Sequence, residues 1–500
     1  MSEPFYITTA ISYPNGRPHI GHAYEAIAAD AIARFQRTRG RDVRLVTGTD
    51  EHGLKMVQAA RSQGRDRLEF ADEMSGYFRD MCDRLNISYD DFVRTSEPRH
   101  HEASVAIWKA MEEAGDLYLD RYEGWYSVRD EAFYDESELI AGEGGEKQSP
   151  QGTPVEWTAE ETWFFRLSKY QEPLLQLYRD NPEFIRPETR RNEVLRFVEG
   201  GLKDLSVSRT SFDWGVPVPG SPDHVMYVWV DALTTYMTGV GYPRLDGDFA
   251  RYWPANVHLI GKDIVRFHAV YWPAFLMSAR LPLPRQVFSH GFLLARGEKM
   301  SKSIGNVVDP MQLAERFGVD ALRYFLLREV PFGQDGSYSN DAIVNRVNAD
   351  LANSFGNLAQ RTLSMVHKNL GGVLPAPGET DVDRELIALV EAATGKEMPE
   401  AFERFAFSIG IEAWLRAVFA CNAYIDAQAP WALRKTDPDR MAAVLGTLVV
   451  AVRELARAIA PVIPMSAEKL LTLIAAGEGG EPIPQPVPLF PRLELEEEVA

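Results

Sequence analysis

This sequence predicts an α/β fold that gives way to an α-helical bundle, and three observations predict it. A β-branched apolar run, Phe5-Tyr6-Ile7-Thr8-Thr9-Ala10-Ile11, is followed after a turn by Ala23, Ile27, Ala31 and Phe35 at helical spacing. Val43-Arg44-Leu45-Val46-Thr47 and the helix behind it turn this unit into a βαβ element, whose sheet is parallel. From Asn340 onward the apolar residues recur at helical spacing only.

The turn after the first strand is Ser12-Tyr13-Pro14-Asn15-Gly16-Arg17-Pro18-His19-Ile20-Gly21-His22. Its prolines, Asn15 and Gly16 are turn formers, so His19 and His22 fall where the helix begins, three positions apart and on one side. Backbone N–H groups and the positive end of the helix dipole favour an anion there. Two imidazoles at that point make a polyphosphate site. Gly21, without a Cβ, would let a flat ring or a ribose approach the backbone. A single histidine in this place is more often a mere cap, so the reading needs a second element. Lys299-Met300-Ser301-Lys302-Ser303, bordered by Gly297 and Gly305, supplies it. Two lysines on a glycine-flanked loop suit a migrating pyrophosphate charge.

In this order and at this distance, His19-Ile20-Gly21-His22 and Lys299-Met300-Ser301-Lys302-Ser303 resemble the two signatures of class I aminoacyl-tRNA synthetases. The resemblance implies a Rossmann-like nucleotide-binding domain split by a connective insertion and followed by the helix bundle.

Composition fits such an enzyme. The chain has 500 residues, room for about three domains at ~100–200 residues each. Hydrophobic residues make up 45% and charged residues 25%, as in ordinary globular proteins. A net charge of −19 argues against a molecule that binds RNA through its whole field, so RNA contact must come from local basic surface. Cys82 and Cys421 are the only cysteines, which excludes a disulfide framework and any four-cysteine zinc site and points to a reducing compartment. Met1-Ser2-Glu3-Pro4 leads straight into the first strand and no run of ~18 apolar residues occurs, so no targeting or membrane segment is expected and the protein should be cytoplasmic.

Further along, the second strand ends in Gly48-Thr49-Asp50-Glu51-His52-Gly53. Asp50 emerges at a strand C-terminus and either meets a cationic group or, with Thr49, caps the next helix; the family resemblance implies that it binds the substrate α-amino group. Between Leu117 and Ser211, short alternating pieces such as Leu117–Asp120 and Trp125–Val128 surround a loop from Ala141 to Pro154, the pattern of inserted hairpins. This insertion is similar to the connective domain of methionyl-tRNA synthetases, and it is far shorter than the editing domains of the valine, isoleucine and leucine enzymes. Relatives with zinc hold it here on Cys-x-x-Cys knuckles. This segment has no cysteine, so no structural zinc is expected and aromatic packing by Trp125, Tyr126, Phe133, Tyr134, Trp157 and Trp163 should replace it.

His224-Val225-Met226-Tyr227-Val228-Trp229 reads as a strand leading into a helix with Asp231, Ala232 and Tyr236. Val257-His258-Leu259-Ile260 then ends in the turn Gly261-Lys262-Asp263, followed by a helix bearing His268, Tyr271 and Trp272. Asp263 suits the two ribose hydroxyls. His268 is either a core histidine or an ATP contact, and the spacing of Gly261, Asp263 and His268 matches the family. Val287–Phe292 is the last strand before the lysine loop. Ile11, Tyr13, Trp229, Ala232, Tyr236 and His290 match the positions that line the methionine pocket in the family, an aromatic box suited to a polarizable thioether; on sequence alone such aromatics are more often core. Leu233 departs from the proline of some members. A pocket of this kind separates methionine from a ligand one methylene shorter by only ~1–3 kcal/mol, so some homocysteine should leak through.

Helical runs Ile343–Leu370, Arg384–Phe405, Ile409–Ala427 and Met441–Ile474 form the bundle. By resemblance it reads the anticodon through Asn357, Arg361 and the stacking aromatic Trp431; residues alone also allow Trp431 as a packing residue after Pro430. Ala475 to Ala500 reads as an irregular tail able to dock, with no dimerising module beyond it, so a monomer is expected. The expected divisions are 1–116 and 223–296 for the halves of the nucleotide domain, 117–222 for the connective domain, 297–339 for the lysine loop and linking region, 340–475 for the bundle and 476–500 for the tail.

The resemblance, over about residues 4 to 465, implies ATP-dependent attachment of methionine to tRNA(Met) through a methionyl-adenylate, with ATP and Mg²⁺ as cofactors. His19, His22, Lys299 and Lys302 are the expected catalytic groups. Gly21, Gly261, Asp263, His268, Lys299, Met300, Ser301 and Lys302 are the expected ATP contacts. Rival readings are a nucleotidyltransferase that does not act on tRNA, opposed by the bundle, and a catalytically dead RNA-binding paralogue, opposed by the two intact signatures.

Overall fold

The computed structural model describes residues 2–130, 132–142, 145–295, 298–299 and 308–494. The chain divides into two units, one of Met1–Ala29 with Arg39–His290 and one of Asp30–Thr38 with Gly291–Ala500.

The first unit is organised by six strands: β1 (Pro4–Thr9), β2 (Asp42–Thr49), β3 (Asp91–Arg94), β4 (Ile185–Arg186), β5 (Val257–Gly261) and β6 (Val287–His290). They lie in the order β3-β2-β1-β5-β6-β4, and every pairing is parallel. Tyr6, Ile7, Leu45, Val46, Leu259, Ile260 and Val287 are buried, as expected where helices cover both faces of a parallel sheet. Ile7 pairs with Leu45 on one side and Val257 on the other. The chain moves outward from β1 through β2 to β3, then crosses to the far edge at β4 and returns beside β1 at β5, so the strand order reverses between β1 and β5. At such a switch point a crevice opens beyond the strand C-termini. The helices that matter for it are α1 (Ile20–Thr38), α2 (Pro98–Glu113) and α3 (Val228–Thr238).

The inserted segment differs from expectation in two ways. Leu117–Asp120 and Trp125–Ser127 belong to one strand, Leu117–Ser127, with Val128 in the turn after it; the strand is paired antiparallel with Glu156–Phe165 from Leu117↔Phe165 to Tyr126↔Glu156. The charged residues Asp120, Arg121 and Glu123 break the apolar pattern without breaking the ribbon. Aromatic packing is also only part of what holds the insertion. Trp157 is 54% exposed; Trp125 meets it edge-on at 5.4 Å and carries the Lys147 ammonium 4.2 Å over its ring. The Phe133 side chain lies outside the described residues. The far loop is gathered by a carboxylate: Asp130 Oδ2 accepts from Ser149 Oγ at 2.5 Å, Thr153 Oγ1 at 2.7 Å and Tyr134 O–H at 3.1 Å. Ser127, Ser149 and Thr153 are buried. Asp130→Ala is expected to strand these hydroxyls at ~1–3 kcal/mol, seen as faster amide hydrogen exchange across residues 127–153; unchanged exchange there would remove Asp130 from this role.

In the second unit, strands Leu293–Ala295 and Glu298–Lys299 pair antiparallel, the second ending at the first lysine of the lysine loop, and Gly336–Tyr338 pairs parallel with the first of them. Helix Asn340–Arg346 continues through a π-helical stretch, Val347–Gly356, into Asn357–Asn369. The run expected as Met441–Ile474 is two helices, Pro438–Ile459 and Pro464–Ala475, broken where Pro464 cannot continue the ladder. Trp414, Leu448, Val452 and Leu455 are buried between helices. The tail docks: Ile483 is buried and its N–H bonds Gly372 O at 2.9 Å, while Leu493 and Asn348 exchange hydrogen bonds at 2.8 and 2.9 Å. No helix of the described residues is long and apolar enough to cross a membrane.

Candidate active site

The turn between β1 and α1 sits at the switch point. Ala10 N–H bonds Leu259 O at 2.9 Å, Ser12 N–H bonds Gly48 O at 2.9 Å and Asp50 N–H bonds Ser12 O at 2.9 Å, so the ends of β1, β2 and β5 are laced together. His19 precedes α1 and His22 lies in its first turn, with ring centroids 3.8 Å apart. His22 Nδ1 accepts the backbone N–H of His19 at 3.1 Å, and His19 Nδ1 accepts that of Gly21 at 3.0 Å. A nitrogen that accepts cannot carry the proton, so each ring holds its proton on Nε2, the donor a phosphate oxygen requires. The ring against Gly21 is His19's own: a Cβ at 21 would meet its Cε1 at 2.8 Å. Glycine is thus needed there for the histidine pair itself.

Asp50 is buried at the end of β2. The next residue, Glu51, is fully buried and takes Arg94 at 2.6 and 3.0 Å and Thr49 Oγ1 at 2.9 Å. Tyr13 O–H donates to His52 O at 2.9 Å and accepts from Met56 N–H at 3.2 Å, and Lys55 lies 4.7 Å over its ring. Neither Asp50 nor Thr49 caps a helix: the helix that follows, Leu54–Ser62, starts from Gly53 at φ 97°, with no side-chain cap.

The two histidines expected near the crevice have different surroundings. His268, expected either in the core or at ATP, is buried against Tyr236 and Trp229. Tyr236 O–H donates to its Nε2 at 2.6 Å, and its Nδ1–H donates to Ile264 O at 2.9 Å. Its ring meets Trp229 edge-on at 5.9 Å, and Trp229 stacks on Phe267 at 3.8 Å. Burial pushes His268 down to about 4, against the pull of the Ile264 carbonyl, so it is neutral near pH 7. Ala232 and Tyr236 are buried on α3 beside it, and Ile11 is half-buried at the end of β1. His290, expected in the methionine pocket, bonds Glu25 Oε2 at 2.8 Å and meets Tyr24 edge-on at 5.4 Å. Burial raises the Glu25 carboxyl above its usual range against the His290 hydrogen bond. His290 also lies near Gly261: a Cβ there would lie 2.9 Å from Asp263 Oδ1 and 4.0 Å from His290 Cε1. Asp263 is exposed there.

Sequence reasoning missed a buried floor under this box. His258 Nδ1 bonds Thr8 Oγ1 at 2.7 Å and its Nε2 accepts Trp272 Nε1–H at 3.2 Å, with the Tyr236 ring 4.4 Å away. Burial drives His258 well below its ordinary range, so the floor is uncharged. Of the lysine loop, Met300, Ser301 and Lys302 lie outside the described residues, and of Lys299 only the backbone is described, opposite Leu294.

In the second unit Arg361 and Trp431 come together. The Arg361 guanidinium lies 5.3 Å over the Trp431 ring and bonds Asp426 at 2.7 Å. Trp431 is 48% exposed and is therefore not a core packing residue. Asn357 is exposed one turn before Arg361 on the same helix.

Comparison with known proteins agrees with this geometry. The family "tRNA synthetases class I (M)" matches residues 5–363, and "Anticodon binding domain of methionyl tRNA ligase" matches residues 375–485. The chain is 57% identical to the methionine–tRNA ligase of Brucella suis over 505 aligned residues, covering 98% of both chains. It is 56% identical to that of Rhizobium meliloti over 508, again 98% of both. The solved Mycobacterium tuberculosis methionyl-tRNA synthetase in complex with methionyl-adenylate superposes with a TM-score of 0.94 at 55% identity, over 98% of this chain and 100% of that one. By its two signatures, its sheet and these matches along nearly its whole length, the chain belongs to the methionyl-tRNA synthetase family of class I aminoacyl-tRNA synthetases.

Proposed function

We infer that this protein attaches methionine to its tRNA in two steps, through a methionyl-adenylate made from ATP. The observation that carries the reading is the convergence, at one set of strand ends, of two imidazoles with Nε2 donors, a buried carboxylate at Asp50, and an uncharged aromatic box of Trp229, Tyr236 and His268. The amino-acid carboxylate is already ionised near pH 7, so attack on the α-phosphate of the substrate Mg·ATP needs no general base; catalysis is positioning and charge stabilisation. His19 and His22 donate to the phosphates. Lys299 and Lys302 take the charge of departing pyrophosphate. Gly261 and Asp263 hold the ribose, with the Glu25–His290 pair beside them. Asp50 takes the ammonium group. A neutral His268 beside Tyr236 and Trp229 suits a thioether and disfavours an ionised side chain, whose burial without a partner is costly.

The Asp130 hub and the lack of cysteine outside positions 82 and 421 support a connective domain that works without zinc. Reducing conditions, implied by two buried free cysteines, support a cytoplasmic enzyme. Exchange of labelled pyrophosphate into ATP, run with each proteinogenic amino acid in turn, should respond to methionine above all others; an equal response to a second amino acid would overturn the substrate assignment.

Anticodon reading by Asn357, Arg361 and Trp431 rests on the exposed Trp431 ring under the Arg361 cation. Stacking on such a ring is worth ~1–3 kcal/mol per base, so Trp431→Ala should lower tRNA aminoacylation ~5–150-fold at ~1.4 kcal/mol per decade. Pyrophosphate exchange without tRNA should stay within about two-fold, since a solvent-facing ring adds nothing to the adenylate site. A parallel fall of both activities with a lower melting temperature would make Trp431 a structural residue.

A further inference from the structure

Between the two halves of the methionine site lies a fully buried charge that the chemistry does not use. Asp231 sits on α3 between Trp229 and Ala232. Its Oδ2 bonds His52 Nδ1 at 2.5 Å and its Oδ1 bonds His100 Nε2 at 2.5 Å. His52 follows Asp50 by two residues and offers its carbonyl to Tyr13. His100 lies on α2, and its other nitrogen bonds Thr238 Oγ1 at 2.9 Å, at the far end of α3. Ser104, one turn along α2, adds a 3.1 Å contact to His100 Nε2. The His52 ring is walled by Trp214 and His101, each with its centroid 5.5 Å away, and Trp214 Nε1–H bonds Glu51 O at 2.5 Å. Asp231, His52 and His100 are all buried.

We propose that Asp231, with His52 and His100, is a positioning device that fixes the distance between the amine anchor at Asp50 and the side-chain box on α3, and so sets which side-chain length the enzyme accepts. The inference rests on the methionine-site reading above. An apolar pocket by itself separates ligands one methylene apart by only ~1–3 kcal/mol. That separation is realised in full only when the ammonium and the side-chain terminus are both held, because a loose anchor lets a longer or shorter ligand slide until its sulfur fits. One carboxylate that accepts from the strand-end loop and from α2, while itself mounted on α3, removes that slack. Burial alone would raise the Asp231 carboxyl, but the His52 and His100 imidazoles outweigh it and hold it well below the usual carboxylate range, so the clamp stays ionised near pH 7. No atom of the three residues needs to touch substrate.

The test is steady-state pyrophosphate exchange on three variants of the full chain, with methionine and with ethionine, its homologue longer by one methylene. His52→Ala should raise the methionine KM ~10–100-fold, leave the ATP KM within about two-fold and shrink the methionine-to-ethionine ratio of kcat/KM. His52→Asn, whose amide nitrogen takes the place of Nδ1 and can donate to the same carboxylate, should recover most of both losses. Should His52→Ala fail to fold, Asp231→Asn, nearly isosteric, must move the same ratio in the same direction. A folded His52→Ala with an unchanged ratio overturns the proposal, as does a parallel rise in methionine and ATP KM, or an unchanged ratio in Asp231→Asn. Asp50→Asn in the same assay separates the two levels: an unaltered methionine KM there would remove the site assignment itself, whereas a raised KM there beside an unaltered His52→Ala ratio removes only the clamp.

Discussion

His22→Ala is expected to slow methionine-dependent pyrophosphate exchange ~100–1000-fold, the scale of removing one preorganised donor from a site of developing charge. The expectation follows from how the ring is held. His22 Nδ1 is occupied by the His19 backbone N–H, which leaves its proton on Nε2, and its face meets the edge of Phe78 at 5.0 Å. The donor is therefore aimed before substrate arrives, and its benefit falls on the pentacoordinate phosphorus more than on bound ATP. The loss should appear in kcat, with ATP affinity changed by less than about ten-fold. Because the ring is only half-buried, the melting temperature should move little. His22→Asn and His22→Gln grade the same effect, since an amide N–H can substitute for Nε2–H only where its reach matches. A kcat within about three-fold of the parent in His22→Ala would place the phosphates elsewhere.

The parts of the site that local sequence dictates were legible. A strand, a proline-rich turn and a helix start leave His19 and His22 few places to be, and Asp50 at the end of a buried strand has only the crevice or a cap to serve. Legibility ends where long-range pairing decides. Ile185–Arg186 is too short to carry a pattern, and it joins the sheet only because β6 offers it an edge. His268 and His290 could be placed near the crevice by spacing, but their packing partners, Tyr236 and Glu25, could not. The stretch Phe267–Tyr271 is π-helical, and the wider turn shifts each side chain off the face that α-helical counting from Asp263 assigns. His268 is thereby delivered to Tyr236. The Asp231 clamp was invisible for the same reason: His52, His100 and Asp231 lie on a loop and two helices far apart in sequence, and only the fold brings them together. The aromatic reading of the insertion caught only part of what holds it, since hydroxyls around one carboxylate leave no periodic trace.

Arg323→Met is expected to cost the second unit ~3–5 kcal/mol, the usual result of removing one member of a buried ion pair. Arg323 and Asp30 are both fully buried. The guanidinium bonds Asp30 Oδ2 at 2.5 Å and caps two carbonyls that close the helix ending at Ile459, Val462 O at 3.0 Å and Pro461 O at 3.1 Å. Methionine fills the volume but returns none of these donors, so Asp30 keeps Arg34 Nε at 2.7 Å but loses the guanidinium, and two buried carbonyls lose a partner. Asp30→Asn should destabilise as well, by leaving a buried cation without its counter-charge. The double variant Arg323→Met with Asp30→Asn should be more stable than the sum of the singles by ~0.5–3 kcal/mol, the coupling seen for residues in one network. It should not regain the parent, because the carbonyls of Pro461 and Val462 stay unserved. Chemical denaturation followed by a signal from the second unit measures this, as a thermal midpoint of a chain with two units is not a two-state quantity. Strict additivity of the two singles would show that the pair is not coupled, and a loss below ~1 kcal/mol in Arg323→Met would show that the buried guanidinium holds nothing together.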